Sequence, residues 1–319
     1  MDGIVLAASL RKVATALLTL LISSFIIFAA MRLVPGDPVL ALSAGRRLSA
    51  VQLAALRHEY GLDQPFLTSY LHWLGGVLHL DFGTSLVYQS SVGSLIGSRL
   101  AVSGLLIVYA AVLTIVVGFG AAILGVARGG AIDQAVVYLS GLATATPPFL
   151  SAIVLLSVFS VSLGWFPALG AGQGFGDRLY HFTLPAVALA FSSVGVLARL
   201  GRASFAEQQE REHVEVARSR GVPAGRVLRR HVVRPALGTV LTLVALLFAS
   251  LFVGTAVVET AFGLDGVGSL LVTSVSRRDM PVVQAIALFG VTLFVVTSTL
   301  VELVLPLIDP RLKATAVHA

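Results

Sequence analysis

The stretch REHVEVARSRGVPAGRVLRRHVVRP, Arg211–Pro235, is a polar island in a chain that is otherwise mostly apolar. It holds seven arginines and two glutamates, with uncharged runs on both sides, Phe182–Ala198 before it and Ala236–Val258 after it. So much charge between two such runs belongs to an aqueous loop of a membrane protein, and its sign places the loop on the cytoplasmic side. Glu207, Arg211 and Glu215 stand four apart and Glu215–Arg218 three apart, so opposite charges stack along one side of a helix expected over Arg199–Arg220. Val214, Ala217 and Gly221 form a small-residue stripe on another side. Gly221 suits a left-handed cap ending that helix. Pro223 suits the first turn of a second helix, Ala224–Val233. A merely solvated loop needs none of these features. The island reads as a helix–turn–helix element that docks onto something at the membrane face.

Composition agrees. Of 319 residues, 56% are hydrophobic and only 12% charged, with mean hydropathy +0.92, against about 25% charged in soluble proteins. The net charge of +6 does not point to nucleic acid, because the basic residues sit between apolar runs where a topology rule accounts for them. There is no cysteine, which excludes disulfides and cysteine-ligated zinc. Arginine outnumbers lysine 20 to 2, in keeping with a GC-rich bacterial genome.

A helix needs about 20 apolar residues to cross the hydrocarbon layer. Six segments qualify: Val13–Met31, Leu100–Ala127, Ala135–Leu163, Phe182–Ala198, Ala236–Val258 and Met280–Val301. The first is longer than the apolar core of a signal peptide and reads as an uncleaved span. Gly164–His181, rich in glycine, reads as an external loop. With both termini cytoplasmic, 14 of the 22 basic residues lie inside, including Arg11, Lys12, Arg128, Arg199, Arg202, Arg311 and Lys313. The expected fold is an all-α membrane protein of six spans. Residues 1–99 carry the first span and a long extracytoplasmic loop, and residues 100–319 form a core of five spans containing the loop at 204–235. Within the long loop, Phe66, Leu67, Tyr70, Leu71, Trp73, Leu74, Val77 and Leu78 recur at helical spacing. That helix either lies on the outer membrane surface or packs on the chain's own spans.

Site chemistry is mostly missing. A phosphate-cradling loop requires lysine after glycine, and the two lysines, Lys12 and Lys313, have no such context. None of the seven histidines falls in an expected span, which weakens an intramembrane serine protease. His72 and His79 are too weak a pattern for a metal site, and no cofactor is called for. The spans are nearly free of the ionisable residues that ion-coupled transport leaves at membrane depth. Glu302 and Glu259 lie near span ends, where both could reach water. Pro147 and Pro148 break a helix, which membranes tolerate beside neighbours or a water cavity. Thr144, Thr146, Pro147 and Phe149 are therefore candidates for a kinked, pathway-facing segment.

The spacing Glu215-Val216-Ala217, three residues, Gly221 resembles the EAA loop of ABC-importer permeases, Glu-Ala-Ala-x-x-x-Gly. ARSRGVPAGRVLRRHVVRPAL is similar to the dipeptide/oligopeptide branch. RLVPGDP at 32–38, YGLDQPF at 60–66, LDFGTSL at 80–86, the pair Pro147 and Phe149, FGLDGVGSLL at 262–271, RDMPVVQ at 278–284 and LIDPRLK at 307–313 follow in the branch's order. Departures are Val216 for the middle alanine, Pro223 where many members carry serine, and Val233-Arg234 for the general Leu-Pro. The resemblance implies a type I importer permease in a bacterial inner membrane. Its implied partners are a second permease subunit, two ATP-binding subunits, an extracytoplasmic solute-binding protein and a peptide substrate. It implies no catalytic residue and no nucleotide site in this chain. It assigns coupling to the ATP-binding subunits to Glu215, Val216, Ala217, Arg218, Arg220, Gly221, Pro223 and Arg226. An ion-coupled secondary transporter is the alternative.

Overall fold

Apolar runs of spanning length fold as helices in every case. The computed structural model describes residues 2–33, 49, 51 and 64–308. The parts of RLVPGDP beyond Leu33 and of YGLDQPF before Gln64, the stretch after Ile308 with Arg311 and Lys313, and the side chain of Glu302 lie outside the described residues. In order the elements are α1 (Asp2–Leu33), α2 (Phe66–Leu78), α3 (Val92–Arg128), α4 (Gly130–Ala145), α5 (Pro148–Ser162), α6 (Phe175–Gln209), α7 (Glu212–Ser219), α8 (Ala224–Ala261), α9 (Val267–Ser276) and α10 (Met280–Ile308). Among the described residues there is no strand, only one isolated bridge between Thr84 and Ser91.

Five of these helices are long and apolar enough to span a membrane, and α4 and α5 pass the same test only when taken together as a bent pair. The expected single span Ala135–Leu163 is therefore corrected. α4 and α5 meet at 100°. The cause is Pro147–Pro148. A proline holds the residue before it out of the helical region, and Thr146 and Pro147 are extended, with ψ of 114° and 149°.

α6 is the post around which α3, α4, α5 and α8 pack. Leu106, Ile107, Ala152, Phe182, Leu189 and Leu251 share one buried cluster among these helices. Where α6 crosses α4, Gly195 allows backbone contact: a Cβ there would lie 2.6 Å from the Ser140 carbonyl oxygen and 2.7 Å from the Thr144 nitrogen. α6 starts at Phe175, so the expected loop Gly164–His181 is helical in its last third. Asp177 lies in the first turn, where a negative charge favours helix starts, and accepts from the Gln173 nitrogen. α3 likewise begins ahead of Leu100, at Val92.

The aromatic stripe of α2 packs on the chain itself. Phe25 and Phe28 of α1 meet Phe66 and Tyr70 edge to face, Trp73 joins them, and Tyr70 Oη lies 3.0 Å from Ser24 Oγ. Of the two readings of that helix, packing on the first span is the observed one.

Two buried carboxylates close the end of the bundle farthest along α8. Glu259 is fully buried and does not reach water as expected. It accepts from Ser103 Oγ of α3 at 2.6 Å and from the Ser269 nitrogen in the first turn of α9 at 2.9 Å, while Ser103 Oγ also accepts from the Val267 nitrogen. Burying a charge is tolerated only with such partners. Asp279, also fully buried, accepts from Ser85 Oγ and from the Leu86 and Val87 nitrogens. It thereby joins LDFGTSL to RDMPVVQ, two motifs far apart in sequence.

Asp279→Ala orphans these donors, at about 1–3 kcal/mol for each that stays buried and unpaired. The expected result is normal insertion, a lowered thermal midpoint in detergent and faster proteolysis between Asp81 and Ser91. An unchanged midpoint would contradict the role given to Asp279.

Candidate functional site: the α7–α8 hairpin

Phe205 near the end of α6 and Val214 in α7 are both completely buried, in one cluster with Ala217, Val227, Val232 and Ala236. At about 100° per residue, Phe205 and Val214 would stand on opposite sides of an unbroken helix. Burying both in one body requires a bend. The chain makes it at Glu210–Arg211, where Arg211 is extended with φ −74° and ψ 140°. The continuous helix expected over Arg199–Arg220 is thus two helices. The Glu207–Arg211 ion pair forms across the bend, and among the described residues Glu215 has no ionic partner.

The turn after α7 follows expectation closely. Gly221 has φ +73°, the left-handed region that side chains with a Cβ avoid. Its nitrogen donates to the Arg218 carbonyl at 2.9 Å, and the Val222 nitrogen donates to the Ala217 carbonyl at 3.1 Å. This pair of bonds is the Schellman closure, which satisfies carbonyls the helix end leaves open. Pro223 then precedes α8, and its carbonyl accepts from the Arg226 and Val227 nitrogens. α8 does not stop at Val233. After a π-helical stretch, Leu228–Val233, it runs on unbroken to Ala261, so the hairpin's second arm is the foot of a spanning helix.

The hairpin has two faces. Val214 and Ala217, of the small-residue stripe, are buried against the bundle, so Ala217, one of the expected coupling residues, lies beneath the others rather than beside them. Glu215, Val216, Arg218, Arg220, Gly221, Pro223 and Arg226 are exposed. Between α7 and the foot of α8 lies a cleft of about 490 Å³ lined by Glu212, His213, Val216, Ala217, Arg220, Val222 and His231. No grouping of His, Cys, Asp or Glu suited to a metal ion occurs among the described residues.

Thr144 and Thr146 are half-buried and bond to the carbonyls of Ser140 and Leu142, each on its own helix. Pro147 and Phe149 are exposed at the bend between α4 and α5. Three contacts that spacing along the chain does not signal tie α6 and the hairpin to their neighbours. Arg202 of α6 makes a two-pronged pair with Asp133 of α4, Nε to Oδ1 at 2.7 Å and Nη2 to Oδ2 at 2.5 Å. His213 Nε2 donates to the His231 carbonyl at 2.9 Å, inside the π-helical stretch. Gln209 Nε2 donates to the Val126 carbonyl at the end of α3.

Known proteins bear on this geometry. Residues 114–314 match the family model for the binding-protein-dependent transport system inner membrane component, and residues 5–100 match that for the N-terminal part of such components. A peptide transport system permease protein of Brucella abortus is 37% identical over 96% of this chain and 99% of its own length. Glutathione transport system permease protein GsiC of Pectobacterium atrosepticum is 34% identical over 92% of this chain and 95% of its own. Oligopeptide transport system permease protein AppB of Bacillus subtilis is 33% identical over 93% and 95%. Among solved structures, a chain of the MetNI methionine ABC transporter in an inward-facing conformation superposes with TM-score 0.51 at 14% identity, over 67% of this chain and 96% of that one. This last likeness speaks to the fold alone.

Gly221→Val forces a β-branched residue to positive φ at a cost of about 1–2 kcal/mol. Amide exchange at Val214 and Ala217 is expected to quicken by roughly 5- to 30-fold, while Gly221→Asn, which tolerates this conformation, changes little. Equal exchange in the valine variant and the parent would contradict the closure described.

Proposed function

The chain belongs to the family of binding-protein-dependent transport system inner membrane components, and from that premise we propose how it couples ATP to peptide import. It is a multi-pass inner-membrane permease. The α7–α8 hairpin lies on the cytoplasmic side and seats in the ATP-binding subunits through Glu215, Val216, Arg218, Arg220, Gly221, Pro223 and Arg226. The observation that carries this reading is the hairpin's two-sidedness: an apolar underside fixed to the bundle and a charged, exposed outer face. Ala217 serves the underside.

Closure of the ATP-binding subunits on ATP pushes the hairpin. The push reaches α8 directly, because the second arm is the foot of that helix, and reaches α6 through the shared buried cluster. The Asp133–Arg202 pair carries it to α4 and the bend, where Thr144, Thr146, Pro147 and Phe149 face the translocation path. The exposed apolar sides of α4 and α5 meet a second permease subunit, and a solute-binding protein delivers substrate outside. The names of the Brucella, Pectobacterium and Bacillus relatives support dipeptides or oligopeptides as cargo. ATP is hydrolysed by the partner subunits. The ion-coupled alternative finds no support, since Glu259 is enclosed by Ser103 and α9 rather than open to water.

Proteoliposomes of the whole complex are expected to accumulate labelled peptide only with ATP inside the compartment holding the ATP-binding subunits. Uptake that persists without ATP under a held ion gradient would overturn the reading. Arg202→Asp is expected to abolish uptake while the ATP-binding subunits stay bound, and Arg202→Asp with Asp133→Arg to restore part of it. Full uptake in the single variant would remove the pair from the coupling route.

A further inference from the structure

A second cleft lies beside the foot of α8. Arg226, Arg229, Arg230, Val233, Arg234 and Leu237 line a space of about 490 Å³. These positions recur three or four residues apart, so they form one stripe along the helix. The stripe changes character along its length, from arginines at its start to Val233 and Leu237 where α8 enters its apolar run. The four arginines are exposed, no carboxylate lines the cleft, and among the described residues none of the four has an ionic partner. Cations crowded together repel one another, and a multiply bonded anion relieves that repulsion. Guanidinium groups match phosphate oxygens in two-pronged geometry.

We propose that this cleft binds the phosphate headgroup of an anionic phospholipid. Arg229, Arg230 and Arg234 hold the phosphate, and the acyl chain lies along Val233 and Leu237. The amphipathic order of the stripe favours a lipid over a protein. A soluble subunit can reach the arginines from water, but it cannot cover Leu237 without entering the membrane. A phospholipid satisfies both ends at once. Clusters of basic side chains next to a span attract anionic lipid at about 1 kcal/mol for each charge. The lipid would neutralise the base of the hairpin's second arm, along the π-helical stretch Leu228–Val233 that His213 also meets. The proposal goes beyond peptide import and can be read on the permease whether or not import is confirmed.

The test uses the full chain in nanodiscs of phosphatidylcholine containing a small fraction of photoactivatable phosphatidylglycerol. Crosslinks are expected to map to residues 226–237, and crosslinking spread evenly over the spans would overturn the site. By native mass spectrometry, Arg229→Gln/Arg230→Gln/Arg234→Gln is expected to retain phosphatidylglycerol roughly a hundredfold less well than the parent. Equal retention would overturn it. So would loss of the ATP-binding subunits with lipid retention intact, because the arginines would then contact protein. Glycerol phosphate, which lacks acyl chains, is expected not to displace the lipid; displacement would reduce the cleft to a site for free phosphate. The crosslinking needs no variant, so a variant that misfolds leaves it standing as the deciding measurement.

Discussion

The apolar seam beneath the hairpin holds the working parts of this permease in register. Phe205 from α6, Val214 and Ala217 from α7, and Val227 and Val232 from α8 share one buried cluster. Without it, α7 is a helix of eight residues, far shorter than an isolated helix needs to be stable in water. The seam also dictates the bend at Glu210–Arg211, because it demands two residues that a straight helix would point in opposite directions. Its cost is the exposure of the arginine-rich outer face, which stays soluble alone and is suited to a partner.

The same logic of local satisfaction governs the far end of the bundle. Two acids that could have been liabilities in an apolar protein become joints. Glu259 gathers α3, α8 and the first turn of α9, and Asp279 gathers the 81–91 segment onto the start of α10. Between these joints and the hairpin, α6 runs as the common post, and Arg202 ties it to α4. A displacement of the hairpin therefore has stiff routes into the bundle, and among the described residues the sharp break between paired apolar helices lies at Thr146–Pro147.

The all-α membrane fold, the span positions and the glycine turn were legible in the sequence because each rests on a local signal. Apolar run length locates a span, and Gly221 followed by Pro223 locates a stop and a start. What stayed hidden depends on partners distant in the chain. Charge spacing suggested one helix through Glu210, yet the burial of Phe205 and Val214 together overrides it. Hydropathy placed the start of α6 at Phe182, because Asp177, Arg178 and His181 dilute the apolar signal of a turn that is nonetheless helical. The small-residue stripe was recognised but not given a partner, since periodicity reveals that a helix has a special side and not what that side meets. Asp133 and Arg202, 69 residues apart, give no local signal of their pairing.

The absence of cysteine makes the central claim, that the hairpin presents one face to the ATP-binding subunits and buries the other, directly measurable. Single cysteines at Glu215 and at Val214, in complexes with their ATP-binding subunits, can be compared for labelling by a water-soluble maleimide before and after the subunits are stripped away. The account predicts that the cysteine at 215 is shielded in the complex and labelled rapidly once the subunits leave, whereas the cysteine at 214 is labelled slowly in both states. Rapid labelling at 215 in the intact complex, or rapid labelling at 214 in the stripped permease, would contradict it.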